Sequence, residues 1–139
     1  MYNGLTNEMI VALYLFSCWF EKDLNKNGHK TVKYFRGIHP NANEYFERYV
    51  KKMICDNKNT ESMQDPHRTF RMTTNECFVF DFCRHLRNSF AHGRLSLNDN
   101  LFEIIDYNKG EQTANGTLNS DNVMEFVNMI NQYNIENQQ

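Results

Sequence analysis

Residues 84–93 read Arg-His-Leu-Arg-Asn-Ser-Phe-Ala-His-Gly, and they carry more chemical information than any other stretch of the chain. Within them lies Arg87-Asn88-x-x-x-His92, at the end of an amphipathic pattern and directly before Gly93. Glycine at that point predicts a helix that closes in the left-handed conformation. Working back from it, Phe78, Phe82, Leu86 and Phe90 recur at helical spacing, so the helix is expected to begin near Thr74, with Glu76 in its first turn. An arginine that forks onto a phosphate, an amide that orients a substrate oxygen and an imidazole that titrates near neutral pH together suit phosphodiester chemistry.

Chance rarely supplies the tight form of this pattern. The chain has 7 Arg, 5 His and 20 Asn in 139 residues. Random placement gives an Arg with a His four to six residues beyond it roughly 0.8 times, which makes loose spacing uninformative. A gap of four with Asn directly after Arg is expected only about 0.04 times.

At about 100° per residue the helix has three faces. Phe78, Phe82, Leu86 and Phe90 form the core stripe, and Asp81, His85, Asn88 and His92 form a polar stripe beside it. Asp81 and His85, four apart, are placed to pair with each other. Opposite the core lie Cys77, Phe80, Arg84, Arg87 and Ala91, a mixture that predicts a covered surface. The cover is either the 57–73 segment of the same chain or a second copy. Arg87 and His92 stand roughly 140° apart around an ideal helix, so one helix does not easily aim both at one atom. Two helices related by a two-fold axis can, and a homodimer with a composite site follows.

The flanking sequence predicts how this helix is held. A first helix is expected from Thr6 to about Asn27, with an apolar middle (Ile10, Leu13, Phe16, Trp19, Phe20) buried on most sides. A short element over Thr31–Arg36 leads to His39-Pro40, and Asn41-x-x-Glu44 has the form of a capping box opening a helix to about Asp56. Residues 57–73 are polar and irregular. Leu95–Leu97 and Leu101–Tyr107 around Asn98-Asp99-Asn100 predict a small hairpin, followed by a glycine-containing loop to Ser120. Val123, Phe126, Val127 and Ile130 mark a last helix, with 135–139 as a frayed tail. The expected fold is therefore mainly all-α, a single-domain bundle of four to five helices over 1–139 with a β-hairpin between the motif helix and the last helix.

Composition narrows the partners. Hydrophobic residues make up 40% of the chain, enough for a real core, and net charge is −2. That charge is unevenly spread: residues 67–94 hold five basic against two acidic side chains, whereas 95–139 hold one against seven. A local basic patch on an acidic body suits a short stretch of nucleic-acid backbone better than a long duplex. Arg84, His85 and Arg94 are the candidate substrate contacts around the motif. Cys18, Cys55, Cys77 and Cys83 lack metal-ligand spacing and sit in apolar runs, which points to reduced thiols, a cytoplasmic setting, no metal and no cofactor. The apolar stretch Met9–Phe20 is too short to span a bilayer, so no membrane association is expected.

Leu86-Arg87-Asn88-Ser89-Phe90-Ala91-His92-Gly93 resembles the motif of the HEPN superfamily (higher eukaryotes and prokaryotes nucleotide-binding), in which Arg is followed four to six residues later by His, often with Asn directly after the Arg. The resemblance implies a helical domain and, for its catalytic members, a metal-independent endoribonuclease that dimerises so that two motifs face one cleft, commonly in toxin–antitoxin, antiphage or RNA-processing systems. On this chain it implies Arg87 and His92 as catalytic residues and Asn88 as a positioning residue, with RNA, a second copy and an antitoxin protein as partners. Some members carry a Tyr two residues after the His that a nucleotidyltransferase modifies; Arg94 stands there in this chain. Other members have no ribonuclease activity, so a catalytically silent module that binds a protein or nucleic acid is the competing expectation. The motif's chemistry needs no cofactor. RNA supplies its own 2′-hydroxyl nucleophile, His92 serves as base or acid, and Arg87 stabilises charge on the non-bridging oxygens.

Overall fold

The computed structural model describes residues 3–25, 42–58, 70–73 and 78–136. Among these residues four α-helices, α1 (Asn7–Trp19), α2 (Ala42–Lys58), α3 (Phe78–Ala91) and α4 (Ser120–Glu136), accompany four strands, β1 (Phe70–Met72), β2 (Ser96–Asn98), β3 (Leu101–Asn108) and β4 (Glu111–Asn119). The helical content expected from periodicity is there, but the small hairpin is only part of a four-stranded antiparallel sheet in the order β1-β4-β3-β2. The glycine-containing loop expected before Ser120 is β4, and the end of the 57–73 segment is β1. The expected element over Thr31–Arg36, the His39-Pro40 turn, Asn41 of the capping box, the start of the motif helix at Thr74–Cys77 and residues 137–139 of the expected tail lie outside the described residues, while Ile135 and Glu136 of that tail are the last turn of α4.

Local chemistry accounts for the boundaries. Thr6 caps α1 by accepting from the Met9 amide at 3.2 Å, and Glu8 lies in the positive first turn. At its other end α1 runs into a π-helical turn, Phe20–Asn25, instead of continuing as α-helix. Lys109 and Gly110 both take positive φ, 53° and 84°, which makes the tight two-residue turn that suits the twist of β3 and β4. Along β3, Phe102, Ile104 and Asp106 point inward; opposite them on β4 stand Leu118, Gly116 and Ala114. The ladder is interrupted between Asp106 and Tyr107 by a bulge.

Phe126 of α4 is the hub of the core. The rings of Phe16, Phe46 and Phe82 meet it edge-on at centroid distances of 6.5, 6.2 and 5.6 Å, which ties α1, α2 and α3 to α4. Each such ring contributes about 1.5–3 kcal/mol through burial alone. Phe70 of β1 meets Phe82 at 6.1 Å and so joins the sheet to the same cluster. Burial of α1 is one-sided: Leu13, Phe16 and Trp19 are inside, while Val11, Tyr14 and Leu15 are exposed. This corrects the expectation of burial on most sides, because α4 and α3 cover one face of α1 and the sheet packs on α3 instead. Among the described residues, no helix is long and apolar enough to cross a membrane.

Candidate active site

The motif helix ends as its glycine requires. The Arg94 amide donates to the Ser89 carbonyl at 2.8 Å and the Gly93 amide to the Phe90 carbonyl at 3.2 Å, with Gly93 at φ 69°. These are the two bonds of a Schellman cap, and they place His92 at the helix terminus with its imidazole in solvent. The chain just beyond is clamped from the other end of the sequence. Asn3 Nδ2 donates to the carbonyls of Gly93 (2.9 Å) and Leu95 (3.2 Å), and the Asn3 carbonyl accepts from the Leu97 amide. Gly4 lets the segment lie this close, since a Cβ there would stand 2.6 Å from the Leu97 carbonyl oxygen.

The core stripe lies where periodicity predicts: Phe82, Leu86 and Phe90 are buried. The polar stripe departs from expectation. Asp81 and His85 are wholly buried, because this side of α3 faces β3 rather than solvent. They do not pair with each other. Asp81 accepts from Arg84 at 3.1 Å, and His85 Nδ1 meets Asp106 Oδ2 at 2.9 Å. His85 Nε2 meets the Thr73 carbonyl oxygen at 3.0 Å. With no exposed surface and both nitrogens engaged, His85 is out of reach of a substrate, against its expected role as a contact.

Asp106 gathers two donors on one oxygen. Oδ2 also accepts from Asn88 Nδ2 at 3.2 Å. Burial pushes the carboxyl up, but the hydrogen bonds from His85 and Asn88, the charge of His85 and the Tyr107 amide outweigh it and hold Asp106 below the usual carboxylate range. With its nitrogen committed inward, Asn88 turns its oxygen toward Arg87, accepting from Nη1 at 2.9 Å. Arg87 Nη2 forms an ion pair with Glu21 of the π-helical turn, and its buried Nε finds no acceptor among the described residues.

Of the six candidate residues, Arg87 and Asn88 are in direct contact, and His92 lies one turn further on. The His92 imidazole makes no hydrogen bond among the described residues, whereas Arg94 lies over the Tyr107 ring, 4.9 Å from its centroid. Arg84 is largely covered and committed to Asp81.

A family model described as HEPN pEK499 p136 matches residues 2–139. The chain belongs to this HEPN family. No curated protein and no solved structure matches it. In this HEPN chain Glu21, Asp106, Thr73 and Tyr107 contact the candidate residues, and spacing around the motif points to none of them. One signal could have found Asp106. The alternation Phe102-x-Ile104-x-Asp106 puts an acid at an inward position of a strand, and a buried acid calls for a partner.

Proposed function

We propose that this HEPN chain is a metal-independent endoribonuclease acting as a homodimer, with two Arg-Asn-x3-His motifs contributing to one cleft. The supporting observation is the contrast at the end of α3: Arg87 is held by an oriented amide, while His92 is exposed with its imidazole unengaged among the described residues. His92 takes the proton of the 2′-hydroxyl or gives one to the leaving 5′-oxygen, and Arg87 holds the non-bridging oxygens as charge builds. Products are a 2′,3′-cyclic phosphate and a 5′-hydroxyl. Within one copy Arg87 and His92 diverge around the helix, so the pairing across a two-fold axis brings one copy's guanidinium to its partner's imidazole. Arg94, exposed beside the motif, would hold a backbone phosphate, whereas Arg84 is engaged by Asp81. Such an activity suits a toxin or antiphage effector restrained by an antitoxin protein.

A second reading has its own observation. Glu21 already occupies the Arg87 guanidinium. If nothing displaces it, the domain is a binding module without catalysis. One experiment separates the two. Structured and unstructured RNAs are incubated with the protein in EDTA, beside His92→Ala and Arg87→Ala. Cleavage in EDTA that disappears in both folded variants supports the ribonuclease; no cleavage by the native chain supports the module. Sedimentation showing a monomer at concentrations where cleavage proceeds would remove the composite site.

A further inference from the structure

Seven residues before His92, a second imidazole does different work. The Thr73 carbonyl can only accept, so His85 Nε2 donates to it, and the ring is pinned between β3 and the residue that follows β1. Asp106 Oδ2, receiving His85 Nδ1, also receives Asn88 Nδ2. This arrangement decides which way round the Asn88 amide stands. Reversed, its oxygen would face a carboxylate oxygen and its nitrogen would face the Arg87 guanidinium, leaving two acceptors and two donors opposed. As observed, Asn88 Oδ1 is the acceptor that receives Arg87 Nη1 at 2.9 Å. Simple adhesion between α3 and the sheet does not need such a network, since apolar side chains of similar volume hold helix to sheet as well or better than a buried ion pair. The bulge directly after Asp106 interrupts the ladder next to the residue whose carboxylate enters the network.

We infer that His85 and Asp106 are positioning residues that act on Arg87 through Asn88, orienting the guanidinium for the scissile phosphate without touching it. The catalytic consequence rests on the ribonuclease reading; the orientation itself does not.

The test exchanges donor and acceptor. Asp106→Asn replaces the charged acceptor shared by His85 and Asn88 with a neutral amide that has one acceptor oxygen and can turn its donor toward Asn88, and kcat on RNA is expected to fall roughly tenfold to a hundredfold while KM changes less than about threefold. Combining it with Asn88→Asp restores a donor at 106 facing an acceptor at 88, and most of the lost kcat is expected to return. A single variant as active as the native chain overturns the inference, as does a folded double variant no better than the single one. If Asp106→Asn alone does not fold, a double variant that folds and cleaves supports the inference, and one that does neither overturns it. If the native chain cleaves no RNA, the ribonuclease reading fails and the inference is decided by side-chain ¹⁵N NMR. Restricted Arg87 guanidinium signals that become averaged in Asp106→Asn support it, and signals unmoved by the substitution overturn it.

Discussion

Two histidines seven residues apart on one helix have opposite surroundings. His85 is sealed between α3 and the sheet with both nitrogens engaged, whereas His92 stands in solvent at the helix terminus. They lie on the same stripe of an ideal helix, so their difference comes from what packs on each part of it. The sheet covers the stripe as far as Asn88, and beyond that point the Schellman cap turns the chain away. The lesson is that a polar helix face is not one functional surface. One part of it is buried and held by hydrogen bonds to the sheet, and the other is exposed to solvent.

The largest expected effect tests this division directly. His85→Leu leaves Asp106 buried without its main partner and should cost about 3–5 kcal/mol of stability. His92→Leu, at a solvent position, should leave the urea midpoint unchanged. Equal losses for the two variants would erase the contrast. A smaller effect is expected at the boundary between the two regions. Gly93→Ala meets no steric obstacle, since nothing lies within 4 Å of the added Cβ, but φ of 69° strains any other residue. It should cost about 1–2 kcal/mol in thermal unfolding and displace His92, so that cleavage falls more than stability implies. The smallest effect is confined to acid. Because Asp106 is held below the usual carboxylate range, the stability it contributes is complete above its unfolded value of about 3.9 and is lost as pH falls through the lower folded value. Acid unfolding followed from pH 6 to pH 2 should therefore show a native-chain loss that Asp106→Asn lacks, with the two curves converging at the acid end.

Much of the helical scaffold was legible because its signal is strong. Phe82, Leu86 and Phe90 on α3, and Val123, Phe126, Val127 and Ile130 on α4, keep the helical period and are buried. The missed elements carried little signal of either period. β4 reads Glu-Gln-Thr-Ala-Asn-Gly-Thr-Leu-Asn, in which Ala114 and Gly116 take inward positions where a strand ordinarily shows large apolar side chains. They are small because Gly116 lies between Phe70 on one neighbouring strand and Ile104 on the other, and the larger side chains fill the space. The misplacement of His85 follows from that omission. Without β4 the sequence offers no sheet to cover this stripe, and the i, i+4 spacing leaves Asp81 and His85 to pair with each other. Arg87, Asn88 and His92 could be singled out by chemistry and spacing, but Glu21 and Asp106 join them only through tertiary contact.

Asn3 grips the backbone just past His92 across ninety residues of sequence. Closing so long a loop is entropically slow to be rewarded. In the order of synthesis Asn3 precedes the motif and the strand bearing Asp106 follows it. A chain cut after Gly93 would therefore carry the motif without the carboxylate that receives His85 and Asn88.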